Sequence, residues 1–312
     1  MLTRRAVTEG RPAAASGPRA VAHSAVIVAL ALLWLGAPKV AAGDEPSSPV
    51  KNGFVTTRDG IKIHYHEAGT GRTLLFVPGW TMTAEIWESQ VDHFGRIARV
   101  VAMDPRGQGD STKSGEGLYP AARARDIRAV VDELKLAPVV LVGWSMGVTE
   151  VAAFVDAFGT ADLAALVLVD GLAGIAPDPK IVTSFMQFAA GFQKDRQAQT
   201  AAFVRGMYRT PRDEAYLKHI TELSLKTPSA TAVALMVGMA SADYRSALEK
   251  IDKPTLLAIA PGGPWDAQYA EMASRIRGAR VEKFEGAGHA LFVDQASKFN
   301  GLVEELLKAS KK

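Results

Sequence analysis

Short, unbroken apolar runs recur along this chain: Leu74–Val77, Val100–Met103, Val139–Val142, Leu166–Val169 and Leu256–Ala260. Each has the length and composition of a strand covered on both faces by helices, as parallel sheets require. Two earlier stretches, 53–57 and 61–67, alternate apolar and polar residues instead. They read as strands with one wetter face, and Asp59-Gly60 between them signals a type I′ hairpin turn. Elsewhere apolar residues recur at helical spacing: through Trp87 and Phe94, over 121–136 with Pro138 beyond, over 148–158, and over 296–309. A last strand candidate, Val281–Glu285, precedes Gly286-Ala-Gly-His289. This alternation predicts an α/β fold built on a doubly wound, mostly parallel sheet.

The rhythm breaks between Gly171 and Lys253. No buried strand occurs there, and helical segments follow one another at about 179–193, 196–208, 212–225, 229–240 and 242–250. They are rich in Phe and Met (Phe185, Met186, Phe188, Phe192, Phe203, Met207, Met236, Met239), as expected of an inserted lid over an active site. The predicted division is a core of 53–171 and 251–312 with a helical lid at 172–250. The first residues fall outside it. Four arginines (Arg4, Arg5, Arg11, Arg19) precede an uncharged apolar run, 25–35, and then Val40-Ala41-Ala42-Gly43. That order reads as a secretory signal peptide, 1–42, followed by a linker, 43–52. It predicts export to the periplasm or the medium; an uncleaved inner-membrane anchor is the alternative. The apolar run is short of the roughly 20 residues a membrane span needs, so no stable insertion of the mature chain is expected.

Composition narrows the chemistry. There is no cysteine, which excludes disulfides, thiolate catalysis and Cys-ligated zinc. Residues 1–42 carry four Arg and one Lys against a single Glu, so a chain cut after Ala42 falls from a formal +3 to −1. That near-neutral balance gives no reason to expect a nucleic-acid partner. His64 and His66 share one face of a strand without a third ligand in reach; they read as solvated edge residues, and no metal or organic cofactor is expected.

The stretch with most chemical content is Gly143-Trp144-Ser145-Met146-Gly147, set between a buried strand and an Ala/Val-rich helix. A strand turning sharply into a helix needs small residues two before and two after its apex, where the backbone is cramped. Such a turn presents the Ser145 hydroxyl at the carboxyl edge of the sheet and aims the next N–H, that of Met146, at the same spot: a nucleophile elbow. A serine hydroxyl needs a base within reach and a group orienting that base. His289, in a Gly-flanked loop after a strand, is the best base. Two acids follow strands, Asp170 and Asp266.

Taken together, Val77-Pro-Gly-Trp80, Asp104-Pro-Arg-Gly-Gln-Gly-Asp-Ser111, Gly143-Trp-Ser-Met-Gly147, Lys253-Pro-Thr-Leu-Leu257, Gly263-x-x-Asp266 and Gly286-Ala-Gly-His289 resemble the α/β-hydrolase superfamily over nearly all of 53–308. Within it the chain is similar to small carboxylesterases and to cofactor-free haloperoxidase/perhydrolase-type enzymes. Two features depart from the usual pattern: Pro78-Gly79 stands where the superfamily has His-Gly, and the loop 260–266 is longer. The resemblance implies a Ser-Asp-His chain order, within which the Gly263-x-x-Asp266 match just past the strand 255–260 favours Asp266 as the acid over Asp170, and it implies a second oxyanion N–H from Trp80 beside that of Met146. Ser145 stands where haloalkane dehalogenases and epoxide hydrolases carry Asp, which speaks against those chemistries. The expected activity is cleavage of an ester-like bond of a small, apolar substrate through an acyl-enzyme. A perhydrolase using the same triad, or a non-catalytic binder on the same fold, are the alternatives. Trp144, Trp265, Met186 and Phe188 are the pocket residues expected from their places beside the elbow, beside Asp266 and in the lid.

Overall fold

The computed structural model describes residues 49–175 and 179–309; the predicted signal peptide and most of the linker lie outside them. Eight strands form one sheet: β1 Lys51–Thr56, β2 Lys62–Ala68, β3 Thr73–Val77, β4 Arg99–Met103, β5 Val139–Trp144, β6 Leu163–Val169, β7 Thr255–Ile259 and β8 Arg280–Lys283. Their order is β1-β2-β4-β3-β5-β6-β7-β8. The two N-terminal strands join antiparallel and all later pairings are parallel.

The helices are α1 Glu88–Phe94, α2 Pro120–Glu133, α3 Met146–Phe158, α4 Pro179–Lys194, α5 Arg196–Gly206, α6 Glu214–Leu225, α7 Ser229–Ala240, α8 Asp266–Arg275, α9 Leu291–Asp294 and α10 Ala296–Ala309. Side chains alternate faces along a strand, so β3 supplies Leu74 and Phe76 to one core and Leu75 and Val77 to the other. The first core packs the sheet on α1, α9 and α10, with Trp87 stacked on Phe292 at 3.9 Å. The second packs it on α2, α3 and α8 through Ile127, Val130, Val151, Val155, Tyr269 and Met272. A third cluster joins Trp80 and Met146 to the inserted helices α4 and α7 through Phe192, Ala232, Leu235 and Met236. Among the described residues, no single helix is long and apolar enough to cross a membrane.

Three local expectations need correction. The turn after β1 is not type I′: Gly60 N–H donates to the Thr57 carbonyl at 2.9 Å, and only Gly60, at φ +81°, is left-handed. Type I′ requires two such residues, and Asp59 keeps the ordinary hand. His64 is not a solvated edge residue but buried, its Nδ1 2.9 Å from Asp104 Oδ2. Arg106, two residues beyond Asp104, binds Asp126 instead, through two nitrogens. Finally, Asp266 does not lie in the loop after β7 but is the first residue of α8.

Candidate active site

The elbow forms where β5 meets α3. Ser145 sits at φ 56°, ψ −121°, a region costing a non-glycine residue about 1–3 kcal/mol and held only where its surroundings demand it. The demand is steric. A Cβ on Gly143 would come within 2.6 Å of the Gly147 carbonyl oxygen, and one on Gly147 within 2.6 Å of the Val77 oxygen. The serine can therefore only project outward. Gly79 and Gly171 pass so close that added methyls would lie 2.9 Å from Ser145 Cβ and 2.2 Å from its carbonyl oxygen. Met146 opens α3, so its N–H has no partner one turn back and is available to a ligand.

His289 spans two groups. Its Nε2 lies 2.9 Å from Ser145 Oγ, and its Nδ1 lies 2.7 Å from Asp170 Oδ2. The loop carrying it is pinned twice. Trp144 Nε1 donates to the His289 carbonyl at 2.9 Å, and Gly288 N–H donates to Asp294 Oδ2 at 2.8 Å. Burial works against charge on Asp294. The backbone N–H groups of Arg209, Gly288 and Thr210 and the Arg212 guanidinium outweigh it and hold that carboxyl below its ordinary range.

Asp170 is buried and left-handed at φ 40°. Its second oxygen accepts from Ala260 N–H at 2.9 Å and the Tyr269 hydroxyl at 3.1 Å. Burial, and after it the Asp170 carboxylate, push the Tyr269 hydroxyl well above its ordinary range, so it stays a donor. Asp266 is exposed, and its carboxylate accepts from Gly262 N–H at 3.1 Å. The position facing His289 Nδ1 is thus taken by Asp170, contrary to the preference for Asp266. Val169 pairs with Ala258, so β6 and β7 end side by side and either could in principle deliver an acid; α8 turns Asp266 out to solvent.

A cavity of about 530 Å³ opens over Ser145 and His289. Of the anticipated pocket residues, Phe188 and Trp265 line it. Trp144 does not: it is 1% exposed and lies behind the imidazole at 5.1 Å between ring centroids, positioning the loop. Met186 faces solvent. Its neighbour Phe185 lines the cavity together with Ile181 and Phe188, and that three- and four-residue spacing along α4 is a signal that could have separated them. Phe203, Met236 and Met239, which the sequence marks only as apolar lid residues, line it too, and so does Tyr269, on a helix that the sequence pattern does not announce. Trp80 also faces the cavity, and its Nε1 donates to the Ala232 carbonyl of α7 at 2.7 Å.

Among the described residues one cluster has metal-ligand chemistry: His64, Asp104 and Asp110 bring donor atoms within 4.8 Å of one another. Its members are already engaged. His64 and Asp104 bind each other, and Asp110 binds Lys226 Nζ at 2.9 Å.

The sequence profile described as the alpha/beta hydrolase family matches residues 74–302. Among characterised proteins, the chain is 27% identical over 269 residues to a non-heme chloroperoxidase from Kitasatospora aureofaciens, covering 81% of this chain and 98% of that one. It is 27% identical to a bifunctional esterase/perhydrolase from Acinetobacter calcoaceticus, covering 80% and 96%. Among solved structures, an esterase from Exiguobacterium antarcticum superposes with a TM-score of 0.77 at 24% identity, covering 84% of this chain and all of that one.

Proposed function

This chain belongs to the alpha/beta hydrolase family, and we propose that within it the protein is a serine hydrolase cleaving an ester-like bond through an acyl-enzyme. The observation that carries the reading is His289, within hydrogen-bonding distance of Ser145 on one side and Asp170 on the other. Ser145 Oγ attacks the carbonyl carbon while His289 Nε2 takes its proton, and the imidazolium returns that proton to the departing alkoxide. Water then repeats the sequence on the acyl-enzyme, releasing the acid and restoring the serine. Asp170 keeps the proton on Nδ1 and stabilises the charged ring. The N–H groups of Met146 and Trp80 receive the oxyanion, a contribution worth about 10²–10³ in rate per donor. Trp80, Phe185, Phe188, Phe203 and Met236 around the nucleophile favour an apolar acyl or alkyl group.

A second reading has a specific observation behind it: relatives aligned over four-fifths of the chain are named as chloroperoxidase and esterase/perhydrolase. Hydrogen peroxide in place of water on the same acyl-enzyme gives a peracid and free Ser145, with no change in the residues required. Turnover of p-nitrophenyl esters against peroxide-dependent bromination in the presence of acetate measures the balance. A protein that does neither, and whose Ser145 resists a phosphonate probe, would be a binder. We also propose export, with the mature chain starting near Gly43; recovery of the intact N-terminus from an exporting host would argue for the anchor.

A further inference from the structure

The loop offering Trp80 N–H is a strained turn that does not hold itself. Thr81 lies at φ 59°, where a β-branched residue is disfavoured, and one backbone bond, Met82 N–H to the Gly79 carbonyl at 3.2 Å, closes the turn. Its middle residues are tied to the lid, Thr81 Oγ1 to Ser224 Oγ at 2.8 Å and Trp80 Nε1 to the Ala232 carbonyl at 2.7 Å, and one buried side chain braces both its ends. Gln108 Nε2 donates to the Gly79 carbonyl at 3.0 Å and to the Met82 carbonyl at 2.6 Å. Its Oε1 accepts from Arg123 Nη1 and Nη2, both at 3.1 Å. Only this amide orientation suits two acceptors on one side and a guanidinium on the other.

Arg123 is itself buried on α2, with its Nε 3.0 Å from Glu150 Oε1. Glu150 is equally buried on α3, one turn beyond Met146. Its carboxylate oxygens accept no aligned hydrogen bond among the described residues. A buried, imperfectly bonded ion pair is poor stabilisation, since desolvating two charges costs several kcal/mol each and apolar residues of the same volume often do as well. What this pair does geometrically is connect the two backbone segments that offer N–H groups to the site: α3 through Glu150, and the Gly79–Met82 turn through Arg123 and Gln108.

We propose that Gln108 is a positioning residue of the oxyanion hole, holding the Trp80 N–H in place against Ser145 while Arg123 and Glu150 orient its amide. This rests on the reading of Ser145 as an acylating nucleophile. The brace acts on the tetrahedral state more than on ground-state binding, because only the tetrahedral oxygen carries the charge that the N–H receives.

The test compares wild type with Gln108→Met, which keeps the volume but removes donor and acceptor. Phenylboronic acid, which forms a tetrahedral adduct on a reactive serine, serves as transition-state mimic, and benzyl alcohol as a neutral ligand of the same apolar cavity. The inhibition constant for phenylboronic acid should rise about ten- to a hundredfold, kcat/KM for p-nitrophenyl acetate should fall by the same factor, and the constant for benzyl alcohol should stay put. If Gln108→Met fails to fold, Gln108→Leu also removes donor and acceptor without adding charge, and the same split is expected. Both affinities moving together, or neither moving, in a folded variant would overturn the assignment. A wild-type protein that neither turns over the ester nor binds phenylboronic acid would sink the Ser145 reading itself, and this inference with it.

Discussion

The two sides of the His289 ring are held by different kinds of restraint. On the Nε2 side, the Gly143–Gly147 turn sets the direction of Ser145, with Val77, Gly79 and Gly171 packed so closely around it that only glycine fits at 143 and 147. On the Nδ1 side, Asp170 depends on three distant segments, the β7 end at Ala260, the α8 residue Tyr269 and the His289 loop itself. A locally determined group survives changes elsewhere in the fold. A group determined by tertiary contacts can be exchanged for another that reaches the same place, and neighbouring parallel strands ending together, as β6 and β7 do, provide two such places.

The largest effects should come from breaking the ring's link to the nucleophile. Ser145→Ala and His289→Ala are each expected to abolish ester turnover, with losses of at least about 10³ in kcat, and the double variant to be little worse than either. Steady-state kinetics on the three proteins checks this; additive losses would mean the two residues do not act as a unit.

The acid side allows a finer cut. Tyr269→Phe removes one of two donors to the outer Asp170 oxygen and leaves the ring that lines the cavity. We expect a loss of about three- to tenfold in kcat, in keeping with the roughly 1 kcal/mol of a single hydrogen bond. A loss as large as that of His289→Ala would mean the tyrosine takes part in the chemistry.

How much of this was legible beforehand follows the same division. The apolar runs of β3 to β7 and the elbow are written in adjacent residues, and the parallel sheet and the outward serine follow from them. The acid was not, since Asp170 and Asp266 both follow strands and the decision rests on α8, a helix with only Tyr269 and Met272 buried. Likewise Met186 and Phe185 are neighbours of similar hydropathy, separated only by which face of α4 meets the cavity. The buried state of His64 depends on Asp104, forty residues away in sequence. Gln108 stands inside the Asp104–Ser111 motif, but nothing local points to a role for it; its contacts run to Gly79, Met82 and Arg123.

The smallest expected effect concerns stability rather than turnover. Burial, opposed by Arg123 and assisted by Asp126, pushes the Glu150 carboxyl up to about 7 from 4.5. A carboxyl raised on folding adds stability that is fully present below its unfolded pKa and is lost as pH rises through about 7. Glu150→Gln has no such group, so the melting temperature of the wild type should fall relative to the variant between about pH 5 and pH 8. Parallel pH profiles would mean that the Glu150 carboxyl titrates alike in the folded and unfolded chain, contradicting the shift.

The central claim is that Ser145, His289 and Asp170 form one catalytic unit. The most direct measurement is the rate at which a fluorophosphonate labels the protein, with the adduct located by peptide mass spectrometry, in wild type, Asp170→Asn and Asp266→Asn. The account predicts a single adduct on Ser145, labelling slowed by several orders of magnitude in Asp170→Asn, where about 10⁴ is the scale for losing the correct tautomer, and labelling at the wild-type rate in Asp266→Asn. An adduct on another residue, or slow labelling in Asp266→Asn with Asp170→Asn unaffected, would contradict it.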